Sequence, residues 1–164
     1  MGNLIKLFLL FILATLVHWA VATVFSAVGI SVNVMLSFAI AFCTVLKPSF
    51  GYPVVFLCGL FLDFFNTKLF GGNACTFTIC ACLLYTLADR LDFKEVATQA
   101  VTVFVLVAAA SCLNSLLIWL FASAVLWAGI FGVLVGALLS ACMAPVIFWT
   151  VQKTLTGGAM CKSR

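Results

Sequence analysis

Charge is what this chain lacks: only 7% of its 164 residues are Asp, Glu, Lys or Arg, four acidic and eight basic, where a soluble domain carries about 25%. A water-facing surface cannot be covered with so few ionic groups, so a soluble globular protein is excluded. Histidine occurs once, tyrosine twice and proline three times. There is no nucleophile elbow, P-loop, HExxH or dinucleotide fingerprint, and no pair of carboxylates within the apolar segments. No enzymatic chemistry, cofactor or metal is therefore expected. The eight cations are scattered and form no basic patch, which argues against a nucleic-acid partner.

What the chain has is hydrophobicity, 66% of residues with a mean hydropathy of +1.36, and its partner of first resort is membrane lipid. Long apolar runs at 4–25, 32–46, 52–65, 74–88, 96–121 and 125–151 predict an all-α polytopic membrane protein, a single bundle of six transmembrane helices. The second, third and fourth runs are short for a full crossing, which predicts central or tilted pieces. Lys6, Lys47, Arg90, Lys94, Lys153, Lys162 and Arg164 fall on one side of such a bundle and Lys68 alone on the other. Since short loops rich in Lys and Arg stay in the cytoplasm, both termini are expected there. Trp119, Trp127, Tyr52, Tyr85 and Trp149 fall near predicted span ends, whereas Trp19 falls inside span one. The alternative for the first run, a signal peptide cut after Ala20-Val21-Ala22, fits less well because the apolar stretch continues through Phe25. Seven of the eight cysteines lie in apolar stretches without a C-x-x-C pair, and are read as small apolar side chains.

Ionisable or amide groups inside such segments are the functional candidates. Asp63 is the main one, with Lys68, Asn66 and Asn73 as candidate partners. It either caps the turn that follows, through Asn66 and Gly71-Gly72, or serves a functional contact. His18 is read as a neutral histidine hydrogen-bonded between helices, while Asn33, Gln99 and Asn114 are expected to make interhelical hydrogen bonds. In span six Ala128, Gly132, Gly136, Ser140 and Ala144 recur every four residues, predicting a small-residue face for close packing, within the bundle or against a partner helix. The Asp89-Arg90-Leu91-Asp92-Phe93-Lys94-Glu95 segment reads as a solvated turn or a docking contact for a cytoplasmic partner.

The segment Gly59-Leu60-Phe61-Leu62-Asp63-Phe64-Phe65, followed by Leu69-Phe70-Gly71-Gly72-Asn73-Ala74, resembles the bacterial rod shape-determining MreD family, with its Gly-x-x-x-Asp and short segment ending in Gly. Gly51 also falls where that family often has glycine, and Val32-Asn33 stands where it often has Pro-Asp. The resemblance implies a non-enzymatic scaffold subunit of the cell-elongation, peptidoglycan-synthesising complex in the bacterial cytoplasmic (inner) membrane. Its implied partners are MreC-like proteins, the peptidoglycan synthase pair and an MreB-like actin homologue. Gly59, Asp63, Gly71 and Asn73 then become the motif and a partner contact. It also implies a fold similar to the substrate-binding subunits of energy-coupling factor vitamin transporters. Such a subunit is the rival reading, and a small orphan transporter is the third.

Overall fold

A computed structural model describes residues 2–26, 32–65, 69–88, 93, 95–122 and 129–155. Among these the chain is all-helical: α1 (Gly2–Ser26), α2 (Val34–Val45), α3 (Pro48–Phe65), α4 (Gly72–Leu87), α5 (Val96–Ala122) and α6 (Gly129–Leu155). The apolar helices α1, α3, α5 and α6 are each long enough to cross a membrane, and α2 and α4 are shorter. Large apolar side chains point outward on every long helix, from Phe8 at 64% exposed to Phe131 at 84%. Bare in water such a surface would aggregate, which makes this a membrane protein.

The shortest helix is the centre. Ten consecutive residues of α2, Val34 to Cys43, are buried, and α2 packs against each of the other five helices. Those five form a ring around it, α3 on α4, α4 on α5, α5 on α6 and α6 on α1. The ring closes between α1 and α3 through edge-to-face rings, Phe11 on Phe61 at 5.3 Å and Trp19 on Phe65 at 5.6 Å. A helix enclosed by protein has no need to match the bilayer, which is why 12 residues suffice for α2.

Local chemistry sets the helix ends. The Asn33 side chain accepts from Leu36 N at 3.2 Å and caps α2. Pro48 opens α3 at the position where its missing N–H costs nothing, while the Lys47 carbonyl accepts from Phe50 N and Gly51 N. That start is earlier than the expected Tyr52, since the polar residues of a first turn lower hydropathy without breaking a helix. At the other boundary α6 continues past Val151 to Leu155, because Lys153 lays its ammonium over the Trp149 ring, 4.6 Å from the centroid. Hydroxyls of Thr15, Thr76, Thr78, Ser111, Ser115 and Ser140 each donate to the carbonyl one turn back. Polar atoms on apolar helices are thereby satisfied within their own helix.

Where α3 and α4 begin and end, a second device joins three helices. Tyr85 of α4 donates its hydroxyl to the Leu46 carbonyl at 3.3 Å and sits 5.0 Å, ring to ring, from Tyr52 of α3. A Cβ on Gly51 would lie 1.7 Å from the Tyr85 hydroxyl oxygen. The glycine is the space that the tyrosine occupies.

Candidate functional site

Opposite the Tyr85 end of the bundle, the segment singled out in the sequence folds into one buried polar junction. Asp63 lies two residues before the end of α3 and is 1% exposed. Its carboxylate accepts from the backbone of the next helix: Asn73 N to Oδ1 and Ala74 N to Oδ2, each at 3.0 Å. These are first-turn N–H groups of α4, which have no intrahelical acceptor. The helix supplies none itself, since its N-cap residue is Gly71, with φ of +90° and no side chain to cap with. A left-handed backbone there favours glycine, so the capping oxygen comes from α3. The negative carboxylate also meets the positive end of the α4 dipole, which offsets the cost of burying it away from water.

Gly59 makes this reach possible. It lies one turn before Asp63 and therefore on the same face of α3. A Cβ at Gly59 would approach Ala74 Cα to 2.6 Å, Ala74 N to 2.8 Å and Asn73 O to 2.8 Å. All three atoms are backbone, so no side chain could rotate aside. The spacing Gly-x-x-x-Asp is thus a docking geometry: the glycine admits the first turn of α4 and the aspartate ties it down.

The junction extends to α5. Asn114 donates from Nδ2 to Asn73 Oδ1 at 2.9 Å; Asn73 is 7% exposed. Asn73 therefore gives its backbone N–H to α3 and its side-chain oxygen to α5. Gly72 keeps the corner small, with Leu69 Cδ2 at 3.2 Å and Asn114 Oδ1 at 3.3 Å from where a Cβ would stand.

Gly59, Asp63, Gly71 and Asn73 thus converge on one junction, and Asn114 joins them by the interhelical bond expected of it. Among the expected Asp63 partners Asn73 is present, though through its backbone; Lys68 and Asn66 lie outside the described residues. Among the described residues Asn33 caps its own helix and bridges to no other, a correction with a simple cause: an amide placed just before an apolar run meets unsatisfied N–H groups first. Gln99 likewise bonds locally, donating to Phe93 O at 2.7 Å, where Phe93 stacks on Phe148 of α6 at 6.2 Å. The rest of the Asp89 to Lys94 segment lies outside the described residues.

His18 lies on the stripe of α1 that faces the bundle, with Leu10 and Ala14. Its buried Nδ1 has no hydrogen-bond partner among the described residues, so the expected interhelical bond is not formed there. Ser37 Oγ on α2 is in the same condition. On α6, Gly136, Ser140 and Ala144 are buried inside the bundle and Gly132 is half-buried, while Ala128 lies outside the described residues. The described cysteines are free thiols: Cys43, Cys58 and Cys80 buried, Cys75, Cys82, Cys112 and Cys142 exposed. Hydropathy and motif reading missed Tyr85 with Gly51. Only an aromatic hydroxyl near one span end and a glycine near another hinted at it.

Comparison of the chain with protein-family models, curated proteins and solved structures finds no match.

Proposed function

We propose that this chain is a non-enzymatic membrane scaffold of the MreD type, a subunit of the bacterial cell-elongation complex that makes peptidoglycan. In this reading all six helices lie in the inner membrane, both termini are cytoplasmic, and the Asp63 end faces outward. The cation asymmetry supports the orientation. One observation carries the functional reading: the residues that bear the resemblance, Gly59, Asp63, Gly71 and Asn73, serve to join α3, α4 and α5. A carboxylate with each oxygen on a backbone N–H is a fastening, suited to holding a shape that partners recognise. An MreC-like protein, the peptidoglycan synthase pair and, at the cytoplasmic face, an MreB-like actin homologue are the partners.

The test is purification of the tagged chain from native membranes under mild detergent. Cell-shape proteins and peptidoglycan synthases should co-purify, and Asp63→Ala should reduce their recovery. Recovery of an ATPase module instead, with nanomolar binding of a vitamin by the purified chain, would replace this reading with the transporter subunit.

A further inference from the structure

The helices differ in height, and the difference is gathered on one side. Of the ring, α5 and α6 have 27 residues each and α1 has 25, about 37–40 Å at 1.5 Å per residue. Their ring neighbours α3 and α4 have 18 and 16, about 24–27 Å. A hydrocarbon core is about 30 Å thick.

Two contacts fix how the antiparallel α4 and α5 stand against each other: Asn73 meets Asn114, and Cys80 Sγ meets Leu106 O at 3.9 Å. In that register Leu87, the last residue of α4, stands opposite position 99 or 100, so at the Tyr85 end α5 overhangs α4 by three to four residues, about 5 Å. At the Asp63 end α4 stops one residue before Asn73, whereas α5 continues eight residues beyond Asn114, an overhang of about 10 Å. The overhang is apolar, with Leu116, Trp119, Leu120 and Phe121 each more than half exposed. It cannot stand in water.

The short flank carries its own aromatic rim, at a lower level. Trp19, Phe64, Phe65 and Phe70 are all more than half exposed. They touch in sequence, Trp19 on Phe65 at 5.6 Å and Phe64 on Phe70 at 5.5 Å. This gives Trp19 a place: a tryptophan seven residues before the end of α1 stands level with the end of α3. From Tyr52 to Phe65 along α3 is about 20 Å, while from Phe131 to Trp149 along α6 is about 27 Å. Below the rim every large exposed side chain of α3 and α4 is apolar, among them Phe56, Leu57, Ile79 and Leu83.

We infer that the α3–α4 flank is a lipid-facing surface built for a thinned bilayer, and that the protein draws down the leaflet at the Asp63 end by about 10 Å relative to its α5–α6 flank. The occupant is lipid, because the flank is apolar from rim to rim and its rim is aromatic, as at a membrane interface. Only a bilayer around the bundle is required, with or without the scaffold role.

Exposed cysteines provide the measurement. In the register above, Cys75 of α4 stands opposite Cys112 of α5, and Cys82 stands opposite Val105, which is 55% exposed. Single nitroxide labels are placed at Cys75, Cys112, Cys82 and Val105→Cys, with the other exposed cysteines and Cys161 replaced by alanine. Full-length protein is reconstituted in phosphatidylcholine vesicles with 18-carbon chains. Depth is read from collisions with oxygen and a nickel chelate. The Cys75 label should lie about 10 Å nearer the headgroups than the Cys112 label, and the Cys82 label about 5 Å nearer its own surface than the Val105→Cys label. A rigid tilt of the bundle would make one α4 label shallower and the other deeper than its α5 counterpart. A flat bilayer would put each pair at equal depth. Either result would overturn thinning, as would a Cys75 label that is immobilised and shielded from oxygen by a second copy of the chain.

Discussion

Removing the Asp63 carboxylate should cost more than removing any other polar side chain in the bundle, and the structure says by how much. Asp63→Ala deletes two charge-assisted hydrogen bonds of 3.0 Å and leaves two first-turn N–H groups of α4 buried without an acceptor. No side chain at Gly71 can replace it. Each buried N–H left without an acceptor costs about 1–3 kcal/mol, and here there are two. By contrast, the neutral Asn73–Asn114 pair is an ordinary interhelical amide bond, worth about 0.6–1.7 kcal/mol in a membrane protein. Equilibrium unfolding in mixed micelles with increasing dodecyl sulfate, followed by tryptophan fluorescence, would place both on one scale. Asp63→Ala should raise the unfolding equilibrium constant by more than about 30-fold, and Asn114→Ala by less than about 20-fold. Asp63→Asn should retain less than half of the difference, because its amide nitrogen presents a donor to one of the two N–H groups. Since Asn73 serves both Asp63 and Asn114, the double variant should depart from additivity by at least about 0.5 kcal/mol. An Asp63→Ala cost below about 1 kcal/mol would refute the capping account.

Two further outcomes follow from glycines that make room for something specific. Gly59→Ala places a methyl group 2.6 Å from Ala74 Cα, so α4 must move away from α3; a loss of about 1–3 kcal/mol is expected in the same assay, and unchanged stability would contradict the close approach. Gly51→Ala should displace the Tyr85 ring and break its bond to Leu46 O, at a similar cost, and pairing it with Tyr85→Ala should recover stability relative to Gly51→Ala alone. No recovery would mean that the contact between the two residues is not what makes Gly51 necessary.

The helices could be read in the sequence because lipid and protein interior both demand apolar residues, and for the same reason the arrangement could not. Hydropathy gives α2 the same signature whether it faces lipid or five other helices. Its brevity was the one clue to its central place, and that clue was shared by α3 and α4, which lie in the ring. Tyr85 and Gly51 are far apart in the chain, and a missing side chain signals nothing until its neighbour is known. Asn33 is different: a capping residue directly before an apolar run is a readable helix start, and the expectation of an interhelical bond overlooked it.

The Asp63 junction was half legible, and the missing half has a physical cause. The acid stood out because a carboxylate in an apolar run is costly, and Asn73 stood out as a polar side chain nearby. Yet the atoms that stabilise Asp63 are backbone N–H groups, which every residue except proline carries and which no letter of the sequence marks. What the letters do show is the permission for that contact. A glycine one turn before the acid removes the side chain that would hold α4 off, and the glycine at position 71 takes the left-handed turn and leaves the cap vacant. The first glycine is needed because the second cannot cap: α3 must come close enough for its own carboxylate to do so. Either glycine without the acid would leave the first turn of α4 buried and unsatisfied, so the three positions form one structural unit although they lie on two helices.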